Sequence, residues 1–339
     1  MSEAVPASHP PPRSAPESSR VAVRDALARH ARWRWWEIGV FIALAASWFV
    51  FADRALLARE IVVLGLFAVS LDLVLGYAGI VSLGHAAFFG VGAYAAALFA
   101  KHVMPDPLVG LAFAIAVSAL LGLVTSALIL RGSDLTRLMV TLGVASVLFE
   151  LANKLDQWTG GTDGLQGVVM GPLLGRFEFD LQGRTAYAYA IAVTIVALFV
   201  CRRVVKSPFG VSLQALRDNR LRASAIGLSV NARLVAVYTL AGGVAGAAGA
   251  LLAQTTGFAS LDVLDFHRSA DVMLMLVIGG TGYLYGGLFG AIAFKLLQDL
   301  LANLTPQYWL FWLGLFLVAL MLVGRERLFK PWTWWKGFR

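Results

Sequence analysis

The sequence predicts an all-α polytopic membrane protein with about ten transmembrane helices. Of its 339 residues, 59% are hydrophobic and only 14% charged, and mean hydropathy is +0.74. Soluble domains run near half apolar and about a quarter charged. The apolar residues also fall into separate runs, most near the ~20 residues a helix needs to cross a bilayer. Lys and Arg collect in short clusters between those runs. A net charge of +8 distributed this way fits the basic cytoplasmic loops of an inner-membrane protein, not a nucleic-acid surface.

Residues 1–20 hold five of the eleven prolines and five serines, a composition that cannot bury a core. Residues 1–35 are therefore expected to form a disordered cytoplasmic tail. Arg20, Arg24, Arg29, Arg32 and Arg34 then precede an apolar segment from Ile38. A signal peptide has the same order of basic and apolar regions, but this one starts late and many apolar runs follow. It reads as an uncleaved first span.

Ten candidate spans follow at about 36–52, 60–77, 83–100, 108–130, 138–153, 186–202, 233–254, 270–285, 286–302 and 308–324. They make a membrane domain over 36–324, followed by a cytoplasmic tail over 325–339. The fourth carries no charge from Leu108 to Leu130. The eighth and ninth are one uncharged run, Val272 to Phe294, interrupted by Gly279, Gly280, Gly282, Gly286 and Gly287. That run reads as one long helix or as two short ones meeting at a bend.

Basic-residue counts give the orientation. Residues 202–233 hold seven Lys or Arg and one acid, and the tail from Arg325 holds five basics and one acid. These and the Arg-rich N-terminal approach are expected in the cytoplasm. Segments 155–185 and 255–271 are expected outside. Ten spans with both ends inside satisfy these assignments, although Arg54 and Arg59 then fall outside. Gly-rich breaks early in the sets starting at 60 and 233 suggest an inverted repeat, a common transporter plan.

The most informative stretch is Gly76–Tyr94. It is too apolar for a soluble loop and too glycine-rich for an ordinary span. Gly76, Gly79, Gly84, Gly90 and Gly92 weaken the helix and let backbones approach closely. Broken helices at membrane depth face protein or a water-filled path. These glycines, with Ser82 and His85, are the candidate path and hinge residues. Close packing of a helical hairpin explains the glycines equally well. If they belong to the path, Leu at Gly84 or Gly90 should abolish uptake while assembly persists. His85 reads as a ligand or proton relay, or as a histidine bonded to a backbone carbonyl. Asp72 and Glu150, inside other spans, read as partnered structural charges.

Gly242 and Gly246, and Ala245 and Gly249, recur at four-residue spacing in the seventh span, a face for intimate helix contact. Thr159, Gly160, Gly161, Asp163 and Gly164 form a turn cluster outside, a candidate outer gate or an ordinary loop. Between the sixth and seventh spans, Pro208 and Gly210 make a turn and 211–226 form one or two short helices. Gly227 stands at a helix-ending position. Arg217, Asp218, Asn219 and Arg222 give this segment the form of a docking element, or of a basic loop that fixes topology. Cys201, the one cysteine, forms no intrachain disulfide and reads as a buried filler. The sequence has no phosphate-binding GxxxxGK[ST] loop, no His/Cys cluster for a metal and no GxSxG elbow. Neither enzymatic activity nor a cofactor is expected.

Four segments in order, GYAGIVSLGHAAFFGVGAYAAAL, TGGTDGLQGV, SPFGVSLQALRDNRLRASAIGLSV and DVMLMLVIGGTGYLYGGLFGAIA, resemble the LivM-type permeases. These are membrane subunits of bacterial branched-chain amino-acid ABC importers. The likeness covers about residues 60–322. It implies a multi-pass permease subunit in the bacterial inner membrane, partnered by a second LivH-type permease, two cytoplasmic ATPases and a periplasmic substrate-binding protein. It further implies an ATPase-coupling segment carried by Arg217, Asp218, Asn219, Arg222, Ala223, Ala225 and Gly227. The family's acid near 224 is Ser224 here, and Gly287 replaces a proline. Urea or short amides are alternative solutes within the family, and an ATP-independent carrier is the alternative from another class.

Overall fold

A computed structural model describes residues 25, 32–129, 132, 134–180 and 182–323. The tails expected over 1–35 and 325–339 lie outside these residues, apart from 25 and 32–35. No strand occurs among the described residues, and each of the ten candidate spans holds a helix. In chain order these are α1 (Trp35–Val50), α2 (Ala55–Asp72), α3 (Ala86–His102), α4 (Pro107–Ile129), α5 (Asp134–Lys154) and α6 (Arg184–Val205). Two short helices follow, α7 (Pro208–Asp218) and α8 (Arg220–Ala225). The chain returns through α9 (Val230–Thr256), α10 (Phe266–Gly279), α11 (Gly286–Leu304) and α12 (Trp309–Val323).

Six helices are long and apolar enough to cross a membrane: α2 with its flanking turns, α4, α5, α6, α9 and α11. The other four have 16, 17, 14 and 15 residues. Two of these are short for a visible reason. Next to α3 and α10 the chain runs as non-helical backbone through 78–85 and 280–285; the first stretch faces protein, the setting in which such backbone is tolerated at membrane depth, and the second is exposed at Thr281 and Tyr283. The eighth and ninth candidate spans are therefore two helices, not one.

The core is built on α2 and α9. In their most apolar windows 83% and 78% of residues are buried, against 22% in α5, so α5 is an outlying helix. The small-residue face of α9 meets α3 and α4 backbone to backbone. A Cβ at Gly242 would lie 2.8 Å from the Ser118 carbonyl, and one at Gly249 would overlap that of Phe89. Small residues replace the missing hydrophobic drive between helices in lipid by close van der Waals contact. Apolar grooves among the described residues include one of 1050 Å³ between α4, α6 and α9 and one of 480 Å³ between α3, α4 and α5.

Hydrogen bonds sort the loops between two ends. At one end, Leu165 and Ala259 exchange backbone bonds of 2.7 and 3.3 Å, and the Gly171 amide donates to the Pro105 carbonyl at 2.7 Å. Arg184 pairs there with Asp53 at 3.4 Å. Arg59 donates to the Thr255 carbonyl at 2.7 Å, where a cation also favours the α9 C-terminal dipole. The opposite end carries both glycine-rich breaks and α7–α8. The two breaks do not hold equivalent places: the first follows α2, the opening helix of its set, and the second follows α10, the second helix of its set.

Candidate functional site

The first break begins where α2 widens into a π turn over Leu73–Tyr77. Gly79 follows with φ +68°, and a Cβ there would crowd the Arg217 side chain. The chain then runs unwound to α3. His85 is fully buried, stacks on Phe67 at 5.7 Å and meets Phe88 edge-on at 5.4 Å. Its Nε2 bonds the Ser70 hydroxyl at 2.9 Å, so its partner is a hydroxyl and not the expected carbonyl. Ser82 is buried beside the Tyr238 hydroxyl.

Gly84, Gly90 and Gly92 are all buried. A Cβ would overlap the Thr141 carbonyl at Gly84, Leu264 at Gly90 and the Gly246 backbone at Gly92. Neither groove is lined by any of the seven candidate path residues. Close packing, against backbone at Gly84 and Gly92 and against the Leu264 side chain at Gly90, is therefore reason enough for these three glycines. The expectation that Gly84→Leu spares assembly also conflicts with the Thr141 contact.

The second break, 280–285, turns on Gly280 (φ +97°) and Gly282 (φ +79°). Left-handed backbone of this kind favours glycine. Its amides are taken by α2: Gly282 donates to Asp72 Oδ1 at 2.7 Å and Leu284 to the Tyr77 hydroxyl at 3.2 Å. The π turn and the second break are in contact, since a Cβ on Gly76 would overlap both Asp72 Oδ1 and the Gly282 amide. Arg217, from the end of α7, donates through Nη1 to the Gly76 carbonyl at 2.6 Å. A Cβ on Gly282 would lie 3.1 Å from the same Nη1. Thus the end of α7 reaches both breaks at one point.

α7 starts with proline at its first turn, where no amide is needed, and buries Leu213 and Leu216. Arg233 at the start of α9 bonds Ser212 on α7. Asn219 caps α8 by accepting from the Arg222 amide at 2.9 Å. Gly227, at φ +85°, ends it. Arg217 and Asp218 pair at 3.4 Å in the open. Ala223 packs inward, whereas Asp218, Arg222, Ala225 and Gly227 are exposed. The α8 tip also presents two large apolar residues, Leu221 at 83% and Ile226 at 70% exposure.

The turn cluster at 159–164 is ordered by its own bonds. Thr159 is buried and donates to the Leu155 carbonyl at 2.8 Å. Gly160, Gly161 and Gly164 all have positive φ, while Asp163 stays exposed. Near this loop, Asp180 accepts from the Thr185 and Arg184 amides at 2.9 and 3.2 Å. Burial pushes its carboxyl up, but these amide bonds outweigh that and hold it below the usual carboxylate range.

Sequence reasoning missed one cluster. Glu37 and Arg202 form a buried ion pair, with Arg202 donating to Glu37 Oε2 at 2.9 and 2.7 Å. The Arg202 guanidinium lies 3.7 Å from the Trp33 ring centroid and near Tyr285, at the edge of the second break. The signal was available: an acid at the third position of an apolar helix and an Arg pair ending another, both on the end expected inside. Glu150 is a surface charge paired with Lys154 at 3.8 Å.

A family model described as the branched-chain amino acid transport system permease component matches residues 55–323. The LivM permease protein of the high-affinity branched-chain amino acid transport system of Escherichia coli K12 is 28% identical over 86% of this chain and 74% of its own. Its Salmonella typhimurium counterpart is 29% identical over 83% and 70%. More distant is the autoinducer 2 import permease LsrC of an Enterobacter strain, 27% identical over 84% and 81%. No solved structure matches the chain. Its helices form a multi-pass inner-membrane bundle and its relatives are permease subunits. The chain belongs to the permease component family of branched-chain amino acid ABC importers.

Proposed function

We propose that this permease subunit passes branched-chain or other hydrophobic amino acids inward after a periplasmic binding protein delivers them. A second, LivH-type permease completes the path, and two cytoplasmic ATPases supply the work. On this reading ten helices cross the membrane and both termini are cytoplasmic. The end carrying α7–α8 is cytoplasmic, and the end where Leu165 pairs with Ala259 is periplasmic. Few fixed charges along the spans suit a zwitterion that is released rather than held, with selection left to the binding protein.

The observation that carries this reading is the α8 tip. Leu221 and Ile226 stand exposed beside Arg222 on a short helix whose base is anchored to the bundle through Leu213, Leu216 and Ala223. An ATP-independent carrier has no use for such a projection, whereas a partner's cleft would cover it. Replacing both Leu221 and Ile226 with Glu should remove ATPase subunits from the purified complex. ATP-driven leucine uptake into proteoliposomes should fall at least tenfold, with the permease still folded. Uptake by proteoliposomes holding this chain alone, without ATP, would sink the proposal. Uptake of urea or a short amide in preference to leucine would correct the solute.

A further inference from the structure

The buried carboxylate of Asp72 joins α2 to the second break. It is fully buried, its Oδ1 accepts from the Gly282 amide, and its Oδ2 has no hydrogen-bond partner among the described residues. Arg217, close enough to act on it electrostatically, already has Asp218 as a counter-charge at 3.4 Å. Asp72 is thus not needed to neutralise Arg217. A buried carboxylate with an unmet oxygen also destabilises a fold compared with an apolar contact of the same shape.

A charge offers what an apolar contact does not, a force that depends steeply on where another charge stands. Asp72 is buried and Arg217 part-exposed, so their attraction exceeds its value between two solvated charges and weakens as they separate. Arg217 grips the first break at the Gly76 carbonyl, and Asp72 grips the second at the Gly282 amide. The two breaks touch between them, because no Cβ fits at Gly76. We propose that Asp72 is a positioning residue that senses the coupling segment: with Arg217 seated, it locks break 280–285 against α2. When α7 is pulled away, the uncompensated carboxylate drives that break open. One displacement would then move both breaks together. This inference rests on the ATP-driven reading above.

The test places a cysteine at Thr281, which is exposed on the second break; the native Cys201 is buried. In the complete reconstituted complex, labelling of Thr281→Cys by an impermeant maleimide should change at least fivefold between the nucleotide-free and ATP-trapped states. Adding Asp72→Ala should reduce that change to less than twofold while ATP hydrolysis persists. Asp72→Asn keeps an oxygen for the Gly282 amide and should recover part of the response. Should Asp72→Ala fail to assemble, Arg217→Gln reads the same contact from its exposed side. Its loss of uptake per ATP should not deepen when Asp72→Asn is added. A full labelling response in Asp72→Ala, or losses that multiply in the double variant, would overturn the proposal. An absent response in the unmodified background would overturn it too, whereas leucine uptake by that same complex without ATP would overturn the ATP-driven reading, so the two failures are distinguishable.

Discussion

The two glycine-rich breaks look alike in sequence and differ in construction. In the first, Gly84 is buried against the Thr141 carbonyl, and Gly90 and Gly92 in the α3 that follows are enclosed as tightly. In the second, Gly280 and Gly282 serve positive φ, while Thr281 and Tyr283 between and beside them are exposed. The second break is tied through its Gly282 and Leu284 amides to the side chains of Asp72 and Tyr77. Backbone wedged into backbone has no second arrangement of similar energy. A turn held by a few polar ties has one as soon as those ties are loosened. The first break is therefore the fixed wall of the junction and the second its movable part.

The largest expected effect breaks the wall. Gly84→Leu forces a side chain into the Thr141 carbonyl, beyond the 1–3 kcal/mol of ordinary overpacking, about which core side chains can adjust. No monodisperse complex should be recovered in size-exclusion chromatography. Gly282→Ala is the matching change in the second break. It places a methyl near the flexible end of Arg217 and costs about 1–2 kcal/mol for the left-handed backbone. That complex should assemble, with uptake impaired. Recovery of Gly84→Leu as a stable complex would erase the distinction.

Next in size is Arg202→Ala. It leaves Glu37 buried without its counter-charge, a change that typically costs about 3–5 kcal/mol. The thermal midpoint in detergent should fall by several degrees. A double variant, Arg202→Met with Glu37→Gln, should regain most of the loss because no bare charge remains. Equal midpoints for the single and double variants would show that packing, not charge, joins α1 to the second break.

Much of this contrast was legible beforehand. Composition and apolar run length placed a helix in each of the ten candidate runs, six of them long and apolar enough to cross a membrane, because the bilayer demands internally satisfied backbone. Glycine spacing foretold the α9 contacts. One or two short helices ending at Gly227 were legible in 211–226, but Pro208 and Gly210, read as a turn, open the first of them, because proline fits the first helical turn. What was not legible depends on residues far apart in the chain. Gly76 and Gly282 are separated by 206 positions, and nothing in either motif says that they touch. Arg217 was read from its own segment as a residue facing a partner, yet its Nη1 faces the Gly76 carbonyl. Glycine alone likewise does not say whether it answers a close neighbour or a positive φ; only the neighbour's position does.

A smaller effect is expected at Tyr77, whose hydroxyl accepts from the Leu284 amide. Tyr77→Phe leaves that buried amide without a partner, for about 1–3 kcal/mol. Because the loss falls on the movable break alone, amide exchange should quicken over 280–285 and not over 78–85. Faster exchange in both would mean that they open as one body.

The smallest effect is a control remote from both breaks. Asp180 holds two first-turn amides of α6, and its carboxyl lies below the usual carboxylate range because those bonds favour the charged form. A depressed folded-state value contributes stability above the unfolded value, near pH 4. That stability is lost as pH falls through the folded value. Exposure and salt screening limit it to about 1 kcal/mol or less. Thermal midpoints of Asp180→Asn and the unmodified protein should therefore differ slightly at neutral pH and converge below the carboxylate range. Labelling of Thr281→Cys should be the same in both. A changed labelling response would connect the outer loop to the movable break, and the junction would then extend through the whole bundle rather than staying at one end.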